Sequence, residues 1–100
     1  MTMTIEAAMT LVQSYLDEKS LSAEDNLVIL KDKVVEKEYG WIFIFNSKRF
    51  IETGNILYSL GGNGPIVVEK ESGKFHELGS AKDFEDTIKE FEEDMGFSST

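Results

Sequence analysis

The sequence predicts an α+β fold: an antiparallel sheet of about four strands, in two hairpins, with an N-terminal and a C-terminal helix packed on it. Three observations lead there. A helical apolar period occupies each end of the chain, runs of β-branched and aromatic residues fill the middle, and glycine-containing turns separate those runs. Helices kept apart from antiparallel strand pairs are the α+β pattern. Residues 1–100 have the length of a single domain. With 41% apolar residues the chain can form one modest core without staples.

The N-terminal helix is predicted from Thr4 to about Lys19. Ile5, Ala8, Met9, Val12 and Leu16 share one face. Thr4 suits the N-cap, and Glu6 suits the positive end of the helix dipole. The stretch SLSAEDN (20–26) reads as a loop. LVIL (27–30) and VV (34–35) flank the polar KDK, which predicts one long or bulged strand. A turn near Lys37–Gly40 then feeds WIFIFNS (41–47), apolar on both faces and therefore covered twice or left open for a partner. Trp41 belongs to this alternation and reads as core.

About 18 residues, Asn46 to Gly64, follow without clean periodicity. Phe50, Ile51, Ile56, Leu57, Tyr58 and Leu60 show that this is no solvated linker, so part of it packs as a short strand or helical turn. The second hairpin is PIVVEKESGKFHEL (65–78), with a three-residue loop Glu71-Ser72-Gly73 and Gly73 left-handed. That loop pairs Lys70 with Lys74, Val68 with His76 and Ile66 with Leu78. It gathers Ile66, Val68, His76 and Leu78 on one face, with Val67, Glu69, Phe75 and Glu77 on the other. The C-terminal helix is expected from Ala81 or Lys82 to Met95, opened by a capping box of Ser80 and Asp83 and closed at Gly96. Its stripe is Phe84, Ile88, Phe91 and Met95; its seven acids, 83, 85, 86, 90, 92, 93 and 94, read as a solvated face or a docking surface. Residues 97–100 read as a frayed tail. The pattern fits helices on one sheet face or on both.

Nineteen acidic against ten basic side chains give a net charge of −9. That charge repels nucleic acid and anionic lipid, and favours a basic protein partner. Acidity that serves only solubility fits the composition equally. There is no cysteine, so disulfides and thiolate metal sites are excluded. The longest apolar run, Trp41–Phe45, falls far short of the roughly 20 residues of a membrane span. MTMTIEAAMTLV has no basic n-region or long apolar stretch, so a cytoplasmic location is expected.

Catalytic motifs fail in turn. GGNGP (61–65) precedes a strand and has no lysine at P-loop spacing, so it reads as a turn, with Pro65 suited to the first strand position. The single histidine, His76, rules out multi-histidine metal sites, and no nucleophile elbow is present. His76 reads as half-buried and bonded to a backbone carbonyl or hydroxyl, or as a partner contact. Glu69 and Glu77, placed on the opposite face, are poor partners for it. No catalytic residue, cofactor or metal is expected.

YGWIFIFNSKRFIETGN (39–55) and GGNGPIVVEKESGKFHELGSAKDFEDTIKEF (61–91) together resemble the immunity protein 35 family of bacterial polymorphic-toxin systems. The resembling features are Gly40-Trp41, Glu52-Thr53-Gly54, Gly62-Asn63-Gly64-Pro65, Ser72-Gly73, His76 and Leu78-Gly79-Ser80-Ala81 before an acidic helix. The resemblance implies a small cytoplasmic α+β protein, not an enzyme, that binds and neutralises a cognate toxin. A member regarded as chaperone-like makes a small holdase the alternative. The expected partner is a toxin protein with a basic surface, not nucleic acid or membrane, met by a monomer or weak homodimer. The candidate partner-binding residues are Arg49, Glu52, Asn55, Tyr58, Asn63 and His76.

Overall fold

The computed structural model describes residues 3–19, 27–54, 64–79 and 82–97, leaving aside the Arg49 side chain. The predicted loop at 20–26, the segment 55–63, Ser80, Ala81 and the tail 98–100 lie outside the described residues.

Helix α1 spans Ile5–Lys19. Thr4 caps it as the sequence suggests: its Oγ1 accepts from the Ala7 N–H at 3.2 Å. Ala8, Val12 and Leu16 are fully buried, and Ile5 and Met9 pack beside them. A tie that periodicity does not reveal comes from Gln13. Its Nε2 donates to the Leu27 carbonyl at 2.8 Å, and its Oε1 accepts from the Ile29 N–H. The amide thus fixes α1 against strand β1 (Leu27–Ile29).

The first hairpin is long and bent. β1 pairs antiparallel with β4 (Phe45–Ser47), and β2 (Val35–Glu36) pairs antiparallel with β3 (Gly40–Phe43). The register shifts by three residues between the two ladders, the length of a 3-10 turn at Lys31–Lys33. The polar KDK, expected within one long or bulged strand, instead divides that strand into β1 and β2, which belong to separate sheets of two and four strands. It is extruded as a turn because Lys31, Asp32 and Lys33 are exposed and have no apolar side chain to bury. β4 runs directly into α2 (Lys48–Thr53), capped by Ser47 and closed by Gly54 at φ +67°. This is the helical turn anticipated between the hairpins.

β5 (Ile66–Glu69) and β6 (Phe75–Glu77) complete a four-stranded antiparallel sheet in the order β2-β3-β5-β6. Their register corrects the expectation by one residue: Val67 faces His76, Val68 faces Phe75, and Ile66 faces Glu77. The loop is Lys70–Gly73, one residue longer than predicted, although Gly73 is left-handed at φ +72° as expected. Lys70 is drawn into the loop from outside the hairpin. Its N–H donates to the Tyr39 carbonyl and its carbonyl accepts from the Met3 N–H, both at 2.8 Å. A one-residue slip reverses β6, so His76 joins Val67 and Glu69 on one face while Phe75 and Glu77 join Ile66 and Val68 on the other.

The two helices cover opposite faces. α1 lies over Trp41, Phe43, Ile66 and Val68. α3 (Phe84–Met95) lies over Ile42 and Val67 through Ile88 and Phe91. This explains why β3 and β5 read as apolar on both faces. Phe97 is no frayed residue: its ring stacks on Tyr39 at 4.4 Å between centroids. No helix among the described residues is long and apolar enough to cross a membrane.

Candidate functional site

Helix α3 begins later than the predicted capping box required. Asp83 is the N-cap, its Oδ1 accepting from the Asp86 N–H at 2.9 Å. An aspartate accepts this bond as well as a serine and adds charge at the positive helix end, which favours the later start. Glu85 and Asp86 reinforce that end, and Gly96 at φ +74° closes the helix.

Glu92 departs from the solvated face expected of the acids. It is 3% exposed, accepts a hydrogen bond from the Tyr39 hydroxyl at 2.7 Å, and lies 3.5 Å from Lys37 Nζ. The sequence reading missed it, although Glu92 lies four residues beyond Ile88 on the buried side of the helix. Burial, then the bond to Glu92, raises the Tyr39 phenol well above its ordinary pKa. Glu85, Asp86, Glu90, Glu93 and Asp94 remain exposed. The helix is thus tethered to the β2–β3 turn by one acid and presents five others outward.

Grooves run along both flanks of α3. The larger, about 540 Å³, lies between the helix and the β2 side of the sheet, and is lined by Val35, Lys37, Ile42, Phe84, Glu85, Ile88, Lys89 and Glu92. The other, about 200 Å³, opens between Leu78, Gly79 and the flank carrying Thr87, Glu90 and Asp94.

His76 sits beneath α3. Its Nε2 is 2.5 Å from Glu69 Oε2, and its ring meets Phe91 edge-on at 5.0 Å. The expected carbonyl or hydroxyl partner is replaced by a carboxylate, because the register slip brings Glu69 to the same face. Neither of the two grooves is lined by His76 or Glu69. The pair does not sit where either groove would present a substrate. Among the described residues no cluster of His, Asp and Glu is placed to hold a metal ion.

Of the other candidates, Glu52 is exposed on α2, 3.7 Å from Lys48 one turn earlier. Arg49 lies on the same helix, its side chain outside the described residues. Asn55, Tyr58 and Asn63 also fall outside them. Arg49 and Glu52 thus share α2, and the two candidates whose side chains are described, Glu52 and His76, stand on different elements. Gly64, at the end of the glycine run, abuts the Leu78–Gly79 backbone so closely that a Cβ would overlap the Leu78 carbonyl oxygen. Close backbone approach accounts for that glycine.

The family model described as Immunity protein 35 matches residues 6–94. The chain belongs to this family. The match takes in nearly all of α1 and α3 and both hairpins between them. An uncharacterized protein of Escherichia coli (strain K12), YrhB, is 42% identical over 53 residues, covering 53% of this chain and 56% of that protein. The aligned region is thus little more than half of the relative's length. No solved structure matches this Immunity protein 35 chain.

Proposed function

We propose that this protein neutralises a cognate bacterial toxin domain by binding it, without catalysis and without a cofactor. Family membership over residues 6–94 carries the reading. The five exposed acids of α3 supply its physical means, since a surface of one sign steers a basic partner into contact. Neutralisation of this kind works by occlusion, and a specific interface would bury on the order of 1,200–2,000 Å². Arg49, Glu52, Asn55, Tyr58, Asn63 and His76 are retained as proposed contacts, joined now by Asp86, Glu90 and Glu93. We place the protein in the cytoplasm as a monomer or weak homodimer.

Co-expression with the toxin domain encoded beside its gene is the direct test. Restored growth and co-purification of the two chains are expected; failure of both overturns the proposal. A holdase would instead suppress aggregation of unrelated clients through broad apolar surface. Among the described residues the most exposed large apolar side chains, Leu11, Ile51 and Met95, stand on three different helices. That dispersal favours the toxin-specific reading.

A further inference from the structure

The four-stranded sheet ends at β2, and the ladder there leaves one residue facing outward. Lys37 and Gly40 exchange both backbone hydrogen bonds, at 2.8 and 3.3 Å. Antiparallel pairs alternate between bonded and non-bonded, so the next pair, Glu36 with Trp41, is of the non-bonded kind. The N–H and C=O of Glu36 therefore point away from β3, and no described residue bonds them. Among the described residues this edge is open, and an open edge is a template for another strand.

What lies beside the edge sets the chemistry of that strand. Neighbouring strands run about 4.8 Å apart, and their side chains alternate between the two faces. On the α3 side, a strand next to β2 meets the 540 Å³ groove, whose apolar walls are Val35, Ile42, Phe84 and Ile88. On the opposite side it meets the Glu36 carboxylate, 66% exposed although Lys70 is 2.9 Å away. The groove itself sets two acids, Glu85 and Glu92, against two lysines, Lys37 and Lys89, so the acid that selects basic side chains is Glu36 on the opposite side. The other sheet edge, β6, is less open. There Glu77 is bonded by Tyr15 and Lys19 from α1, and the flanking groove is smaller.

The geometry points to strand addition at β2: an extended segment of the toxin, alternating apolar and basic residues, pairs with Glu36 and seats its apolar side chains in the groove under α3. Main-chain bonds supply affinity in this mode, and the alternate pockets supply specificity. The inference rests on the toxin-binding reading for its partner, yet its site can be tested without the toxin.

The probe is an acetylated, amidated heptapeptide alternating lysine and valine, titrated into the isotope-labelled full chain and followed by NMR. Amide shifts at Val35, Ile42, Phe84 and Ile88, with slowed exchange of the Glu36 N–H, are expected. Shifts confined to Asp86, Glu90 and Glu93, shifts at Phe75 and Glu77 of β6, or no shifts at all would overturn the proposal. Glu36→Pro removes the outward N–H without touching the β2–β3 ladder, and should weaken binding roughly tenfold with an unchanged melting temperature. Should that variant not fold, N-methylation of the peptide's ladder-side amides makes the same test on the unaltered protein; undiminished binding sinks the idea. The two readings also separate in cells. A toxin neutralised equally by Glu36→Pro and the native chain overturns strand addition while the immunity role stands. Peptide binding at β2 by a chain that rescues no toxin does the reverse.

Discussion

Glu92 carries a carboxylate into a nearly closed site, and a charge there is tolerable only while its partners hold it. Tyr39 supplies the shorter contact at 2.7 Å, and Lys37 the compensating charge. Tyr39→Phe keeps the ring that stacks on Phe97 but removes the donor, so a loss of about 1–3 kcal/mol is expected in urea unfolding at neutral pH. An unchanged midpoint would mean that Lys37 alone satisfies the acid. The phenol also sets an alkaline limit. Its pKa is raised in the folded state, so its contribution is whole below the ordinary value of 10.0 and is lost as pH climbs beyond it. Melting temperature should fall more steeply above pH 10 in the native protein than in Tyr39→Phe. Glu77 works in the opposite sense. The Tyr15 hydroxyl, then Lys19, lowers its pKa, so its share is present above the ordinary value of 4.5 and fades as pH falls below it.

Among the elements, the β3–β5 pairing holds the layers together, and it depends on a glycine. Gly40 faces Glu69 in the ladder, and a Cβ there would overlap the Val68 carbonyl oxygen. Backbone cannot yield as a side-chain tip can, so Gly40→Ala should cost about 3 kcal/mol or more. Gly79 has nothing within 4 Å of where its Cβ would be, and Gly79→Ala should stay within about 0.5 kcal/mol. Equal effects in chemical denaturation would refute the close-approach explanation. Elements with a strong local signal were legible: the α1 face, the buried Trp41, the left-handed Gly73 and the close of α3 at Gly96. The register of β5 with β6 was not. Lys70 joins the loop by bonding to Tyr39 and Met3, groups distant in sequence that no hairpin rule contains.

At the scale of the whole molecule, nineteen acids against ten bases make long-range attraction the first event in meeting a basic partner. Screening sets in over about 8–10 Å at physiological salt. Association with the proposed toxin partner should therefore slow as ionic strength rises. Replacing Asp86, Glu90 and Glu93 together by lysine should lower the association rate far more than it raises the dissociation rate. Stopped-flow kinetics across a salt series checks both; a salt-independent rate would remove steering from the account. These positions are exposed, so the same variant should keep its fold.

The candidate site was half legible for a related reason. The acidic helix and its apolar stripe are periodic, and periodicity is local. That Glu92 serves the interior, that Glu69 rather than a carbonyl meets His76, and that the larger groove borders β2 are consequences of packing between distant segments. By itself the sequence determined the α+β class, the ends of its helices to within a few residues, and the acidic character of the surface, because these follow from residue type and spacing along the chain. Only the tertiary structure decided which face each strand residue serves and that the helices lie on opposite sides of the sheet. Those choices turn on a one-residue register and on contacts spanning tens of positions, and neither leaves a trace in local pattern.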